Sequence, residues 1–139
     1  MSLEVSVITP EKVFLTCETD QVILPTATGG IGILSGHAPL VTVLEPGVLR
    51  YEVNGNWIPA VLYGGFAEVE KNQVTVLVNG AEEVLAQGDL QEAEKALISA
   101  TEKLEKLKES KLEERKLEPA ILEVQIAKAR LDALKFLKN

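Results

Sequence analysis

All ten glycines of the 139-residue chain lie at or before Gly88, and so do five of its six prolines. Glycine opens backbone angles closed to other residues, proline fixes turns, and both weaken helix interiors. Two folding programmes are therefore joined near residue 88. Charge divides at the same place. Residues 1–88 carry ten acids and three bases (Lys12, Arg50, Lys71), a net of −7, while residues 89–139 carry eleven of each and balance.

The first programme is one of short strands. Leu3–Ile8 alternates apolar and polar, and Val13–Leu15, Gln21–Leu24, Ile31–Leu34, Leu40–Leu44 and Val48–Val53 follow at close spacing. Asn54-Gly55 is a two-residue hairpin signal leading into Trp57–Leu62. Gly64-Gly65 precedes Phe66–Glu70, and Lys71-Asn72 turns the chain into Gln73–Val78. Strands at this spacing predict an antiparallel sandwich or barrel. Only six aromatics are present (Phe14, Tyr51, Trp57, Tyr63, Phe66, Phe136), so the core is expected to be aliphatic. Pro59 inside a strand marks an edge or a bulge.

The second programme is helical. Asp89 after Gly88, with Glu92 three residues on, is a helix start. Leu90, Ala93, Leu97, Ala100, Leu104 and Leu107 recur at three- and four-residue steps, a narrow stripe suited to a two-helix contact. Pro119 fits the first turn of a second helix, whose stripe is Leu122, Ile126, Ala129, Ala133 and Phe136 or Leu137. Short helices are marginal alone, so these stripes should pack on each other or on the sandwich. Between them, Lys108–Glu118 has eight charged residues in eleven and no glycine. Its propensity favours continued helix, so a folded hairpin and a long, nearly continuous rod both remain open for residues 89–139.

Composition also bounds function. A net charge of −7 argues against nucleic-acid binding, and one cysteine, Cys17, excludes an internal disulfide or thiolate cluster. No apolar run approaches a membrane span and the first residues show no signal-peptide pattern, so direct membrane insertion is not expected. The only histidine, His37, lies in the glycine-punctuated run Gly30-Ile-Gly-Ile-Leu-Ser-Gly-His-Ala-Pro-Leu40. Ser35 is two residues away, but nothing indicates a third group to orient the imidazole, so no catalytic residues are assigned. One histidine with scattered carboxylates is no metal set, and the glycines do not meet a phosphate-loop spacing; no metal and no cofactor are expected.

Val22-Ile-Leu-Pro25 leading to Gly32-Ile-Leu-Ser-Gly-His-Ala-Pro-Leu40, then Pro46-Gly47-Val-Leu49, Gly64-Gly65-Phe66 and Val74-Thr-Val-Leu77, resemble the epsilon subunit of the rotary F-type ATP synthase. The resemblance spans the whole chain. Val7-Ile-Thr-Pro10 with Gly64-Gly65-Phe66-Ala67 is most similar to the cyanobacterial and chloroplast branch. It implies an N-terminal β-sandwich over residues 1–88 and a C-terminal two-helix hairpin over residues 89–139. It also implies a non-catalytic central-stalk subunit at the cytoplasmic or stromal face of an energy-transducing membrane, with the thylakoid the expected one. The sandwich would bind the gamma subunit and the c-ring through Gly30, Gly32, Ser35, Gly36, His37, Ala38 and Pro39. The helices, when extended, would reach the alpha/beta hexamer and restrain ATP hydrolysis through Arg115, Lys116, Lys128, Arg130 and Lys135. Some family members bind ATP through Ile/Leu-Asp-x-x-Arg-Ala; the matching run here is Leu90-Gln91-Glu92-Ala93-Glu94-Lys95. Gln91 and Glu94 replace the acid and the arginine, which implies weak or absent ATP binding. The competing reading is a stand-alone sandwich module that binds a ligand or a protein and carries a helical appendage.

Overall fold

The computed structural model describes residues 2–110 and 114–138. Ten strands form two sheets. β1 (Leu3–Ile8), β2 (Val13–Thr19), β5 (Leu40–Leu44), β8 (Gly65–Glu70) and β9 (Gln73–Val78) make the front sheet, in the order β2-β1-β9-β8-β5. β3 (Gln21–Thr26), β4 (Gly29–Leu34), β6 (Gly47–Val53), β7 (Asn56–Leu62) and β10 (Ala81–Glu83) make the back sheet, in the order β10-β7-β6-β3-β4. The fold is a sandwich rather than a closed barrel. Pairing is antiparallel except between β1 and β9, which run parallel from Glu4↔Gln73 to Ile8↔Leu77. β10 is too short and too polar to carry a period-two signal, and the sequence patterns do not reveal it.

Two-residue turns fix the register. Asn54 (φ 52°) with Gly55 (φ 82°) closes the β6–β7 hairpin, and Lys71 (φ 50°) with Asn72 (φ 62°) closes β8–β9. Both central residues of each turn have positive φ, which matches the right-handed twist of the strands. Pro59 pairs with Arg50 on β6, but β10 covers β7 only from Ala60 to Leu62. β7 is therefore an edge at Pro59, where the missing N–H leaves no ladder partner short.

Alternation delivers the core. Leu3, Val5 and Val7 point inward from β1, Val22 and Leu24 from β3, and Val74, Val76 and Val78 from β9. Ile33, Leu44, Leu49 and Leu62 complete an aliphatic interior.

α1 (Leu90–Glu109) starts where Asp89 Oδ1 accepts the amides of Gln91 at 2.9 Å and Glu92 at 3.4 Å. Ser110 caps its end, donating its amide to the Lys106 carbonyl. A 3₁₀ turn, Glu114–Lys116, leads into α2 (Leu117–Lys138), with Pro119 in the first turn as expected. The helices form the folded hairpin, not the rod; Lys111, Leu112 and Glu113 of the charged connector lie outside the described residues. Ala100, Leu104 and Leu107 of the first stripe are buried, and Leu104 and Leu107 meet Ala120, Leu117 and Val124 of α2. The second stripe lies on the sandwich: Ala129, Ala133 and Ile126 pack on Val61, Val48, Tyr63 and Val84. α2 thus serves two surfaces at once, its small residues letting it lie close over β7 and β6.

Candidate functional site

The chain crosses from back sheet to front sheet through Ser35–Pro39, between β4 and β5. Gly36 (φ 86°) takes a left-handed angle that suits glycine, and its amide donates to Asn72 Oδ1 at 2.7 Å. The crossing is thereby tied to the β8–β9 turn. The His37 amide donates to the Leu34 carbonyl at 3.1 Å, and its ring Nδ1 lies 2.6 Å from the Ala38 carbonyl oxygen. His37 is half-buried and braces the loop, whereas Ala38 and Pro39 are exposed. Ser35 Oγ is buried without a partner and does not meet the imidazole.

Register then builds a feature that the sequence patterns do not show. Val43 pairs with Phe66, Phe66 with Leu77, Leu77 with Ile8, and Ile8 with Val13. All five occupy outward positions of the front sheet, so one apolar row crosses all five strands. Val43 is 69% exposed, Phe66 48% and Val13 59%, with Val41 beside them at 71%. Aliphatic and aromatic side chains partly or largely exposed in one continuous row differ from scattered surface apolarity and suit a contact surface. The signal was hidden because the strands that supply it are far apart in the chain: Ile8 and Leu77 pair across 69 positions.

Gly30 and Gly32 are placed elsewhere. Both lie on β4, the edge of the back sheet, and a Cβ on Gly30 would meet Ile23 Cγ2 at 2.8 Å. Gly30 borders a groove of about 470 Å³ against α2, not the front sheet. The seven contact residues expected from the sequence are thus split between a loop tip and the opposite sheet.

The five bases expected to act together are likewise spread. Arg130 reaches back to the sandwich: its Nη2 donates to Glu82 Oε2 at 2.8 Å, its Nε donates to Glu82 Oε1, and the Tyr63 hydroxyl donates to the same carboxylate. Burial pushes the Glu82 carboxyl up, but hydrogen bonds from Arg130 and Tyr63 outweigh it and hold the group below its ordinary value. Burial, and then the bond to Glu82, raise the Tyr63 phenol. Lys128 borders the groove beside Gly30, Lys135 is exposed, and Arg115 and Lys116 line a hollow at the far end of the hairpin. Lys138 Nζ donates to the Ala86 carbonyl at 3.0 Å, and Lys103 pairs with Glu123 between the helices at 3.4 Å.

Gln91 and Glu94 are exposed, and neither borders the hollow beside the start of α1. The hollow of about 380 Å³ beside the start of α1 is bordered instead by Asp89 and Glu92, with Glu82, Glu83 and Arg130. Four carboxylates face one guanidinium that is already paired.

A two-sheet sandwich with an exposed apolar row, carrying a docked helical arm, is a fold built to offer a contact face rather than a catalytic cleft. Residues 2–84 match a family profile described as the ATP synthase, Delta/Epsilon chain, beta-sandwich domain. Over 137 residues the chain is 42% identical to the chloroplastic ATP synthase epsilon chain of Thalassiosira pseudonana, covering 99% of each. Over 104 residues it is 53% identical to that of Pyropia yezoensis, covering 75% of this chain and 77% of the relative. The chain belongs to the ATP synthase epsilon-chain family, and within the enzyme it is a non-catalytic subunit. Its fold is also that of a chain in the Euglena gracilis mitochondrial ATP synthase, with a TM-score of 0.75 at 24% identity, covering 95% of this chain and 80% of that one.

Proposed function

We propose that the chain works in the central stalk of an ATP synthase, with residues 1–88 as the rotor-binding unit and residues 89–139 as a regulatory arm. The sandwich joins the gamma subunit to the c-ring. The arm, when it leaves the back sheet and extends toward the alpha/beta hexamer, restrains ATP hydrolysis. The observation that carries this reading is the apolar row Val13–Ile8–Leu77–Phe66–Val43 on the front sheet, with the exposed Ala38-Pro39 tip at the other end of β5. Because the arm occupies the back sheet, the front sheet stays open to a partner in either arm position. Gamma is the partner assigned to the row. The loop tip, braced by His37 and tied to Asn72, supplies a shaped contact at its margin.

Arg115, Lys116, Lys128 and Lys135 supply the positive charge of the extended arm, and Arg130 joins them only after it leaves Glu82. ATP does not set the position of the arm, since the hollow beside Asp89 presents mainly carboxylates to a phosphate chain. The relatives are chloroplastic epsilon chains, and among the described residues no helix is long and apolar enough to cross a membrane. Peripheral attachment at the stromal or cytoplasmic face of a thylakoid follows from this reading. The deciding experiment pairs Val43→Asp with Phe66→Asp and measures incorporation into the gamma-containing complex. A folded variant that assembles as well as the parent overturns the assignment of the front sheet.

A further inference from the structure

The groove between the back sheet and α2 combines features that the contact role does not use. Its sandwich wall includes Pro25, Gly30, Val48 and Arg50, and its helical wall is Lys128, Asp132 and Phe136. Arg50 is one of only three bases among the first 88 residues; it shares this groove with Asp132, and no ion pair to it forms among the described residues. Its Nε is buried without a hydrogen-bond partner, and its guanidinium stands over the Phe136 ring, 5.4 Å from the centroid. Lys128, across the groove, has no ion-pair partner among the described residues. A cation held in a partly desolvated site without its counter-charge is unfavourable, and an anion bridging the two bases offsets that cost. At about 470 Å³ the groove falls in the range of small-molecule sites, roughly 300–1,000 Å³.

The geometry points to a binding site for a small phosphate monoester that carries a flat apolar ring. Arg50 and Lys128 hold the phosphate, and Phe136, Pro25 and Val48 take the ring. Asp132, the one carboxylate in the lining, limits the negative charge accepted and leaves an acceptor for a hydroxyl or amine. A ligand here bridges β6 to α2, so its occupancy favours the docked arm by mass action; this consequence for the enzyme rests on the braking role proposed above. The site is separate from the acidic hollow beside Asp89.

Titration calorimetry of the isolated full chain with phenyl phosphate, inorganic phosphate and phenol tests the site. Saturable one-to-one binding of phenyl phosphate, weaker binding of phosphate and none of phenol is expected. Lys128→Gln and Arg50→Gln should each weaken binding about tenfold, while Asp132→Asn tightens it. Lys128 is exposed, so Lys128→Gln keeps the fold; unchanged affinity in that variant overturns the site, as does the absence of saturable binding. A label distance between the sandwich and α2 then reads the docked fraction. Binding that leaves this fraction unchanged overturns the coupling. A failure of the rotor assignment would appear instead in assembly of the front-sheet variants and leave the titration untouched.

Discussion

Arg130 answers to two demands. In the docked arm its guanidinium sits on Glu82 with Tyr63 alongside; in the extended arm it would be one of the charges offered to the catalytic subunits. Glu82→Gln should therefore free the arm and leave the charge available, whereas Arg130→Ala frees the arm and removes the charge. Hydrolysis by the assembled enzyme is expected to fall further with Glu82→Gln than with Arg130→Ala; equal rates would show that Arg130 has no second role. The contact also has a pH window. Glu82 titrates below its ordinary value, so its stabilisation is present above the unfolded carboxyl range and lost as pH falls through the lowered value. Tyr63 titrates above its ordinary value, but its bond to Glu82 lies within the sandwich, so its share belongs to the sandwich and not to the docking of the arm. A label distance from sandwich to α2 should be short above about pH 5 and lengthen as pH falls through the lowered Glu82 value. Sequence reading grouped Arg130 with its neighbours by charge because a partner 48 positions away leaves no local trace.

Individual strands and helices were legible where one period ran unbroken. Leu3–Ile8, Leu40–Leu44 and Gln73–Val78 stand where alternation put them, and Asp89 caps α1. The β10 strand and the parallel β1–β9 pairing were not, because both depend on neighbours rather than on local pattern. Glycine chemistry at element ends is exacting. At Gly65, the first residue of β8, a Cβ would overlap the Leu77 carbonyl oxygen of β9. Gly65→Ala should destabilise the sandwich by about 2–4 kcal/mol in denaturant unfolding. Gly88 acts on the arm instead, since a Cβ there would meet Leu134 Cδ2 at 2.6 Å. Gly88→Ala is expected to loosen α2 while leaving the sandwich intact, visible as faster amide exchange confined to α1 and α2.

For the molecule as a whole, division into a sandwich and a helical arm could be read from where glycine and charge stop. The position of the arm could not, because Lys108–Glu118 suits both hairpin and rod; packing of Ala129 and Ala133 on Val61 selects the hairpin. The front-sheet row was invisible for a related reason, since five separated strands contribute one residue each. Removal of residues 89–139 leaves the filled interior around Leu24, Leu49 and Val76 in place. That truncation should fold, assemble with gamma and raise hydrolysis by the complex; an unchanged rate would show that the arm is no brake.

β10 gives the truncation and the proposed extension of the arm a shared safeguard. A sheet edge left bare is a template for another chain, and β7 would be such an edge along Ala60–Leu62. The three residues that cover it come before the arm, not from it. A pivot anywhere after Glu83 lets the helices depart while the ladder beside β7 stays closed. An arm that extends as proposed would therefore change the reach of the subunit without presenting raw backbone to a neighbouring chain.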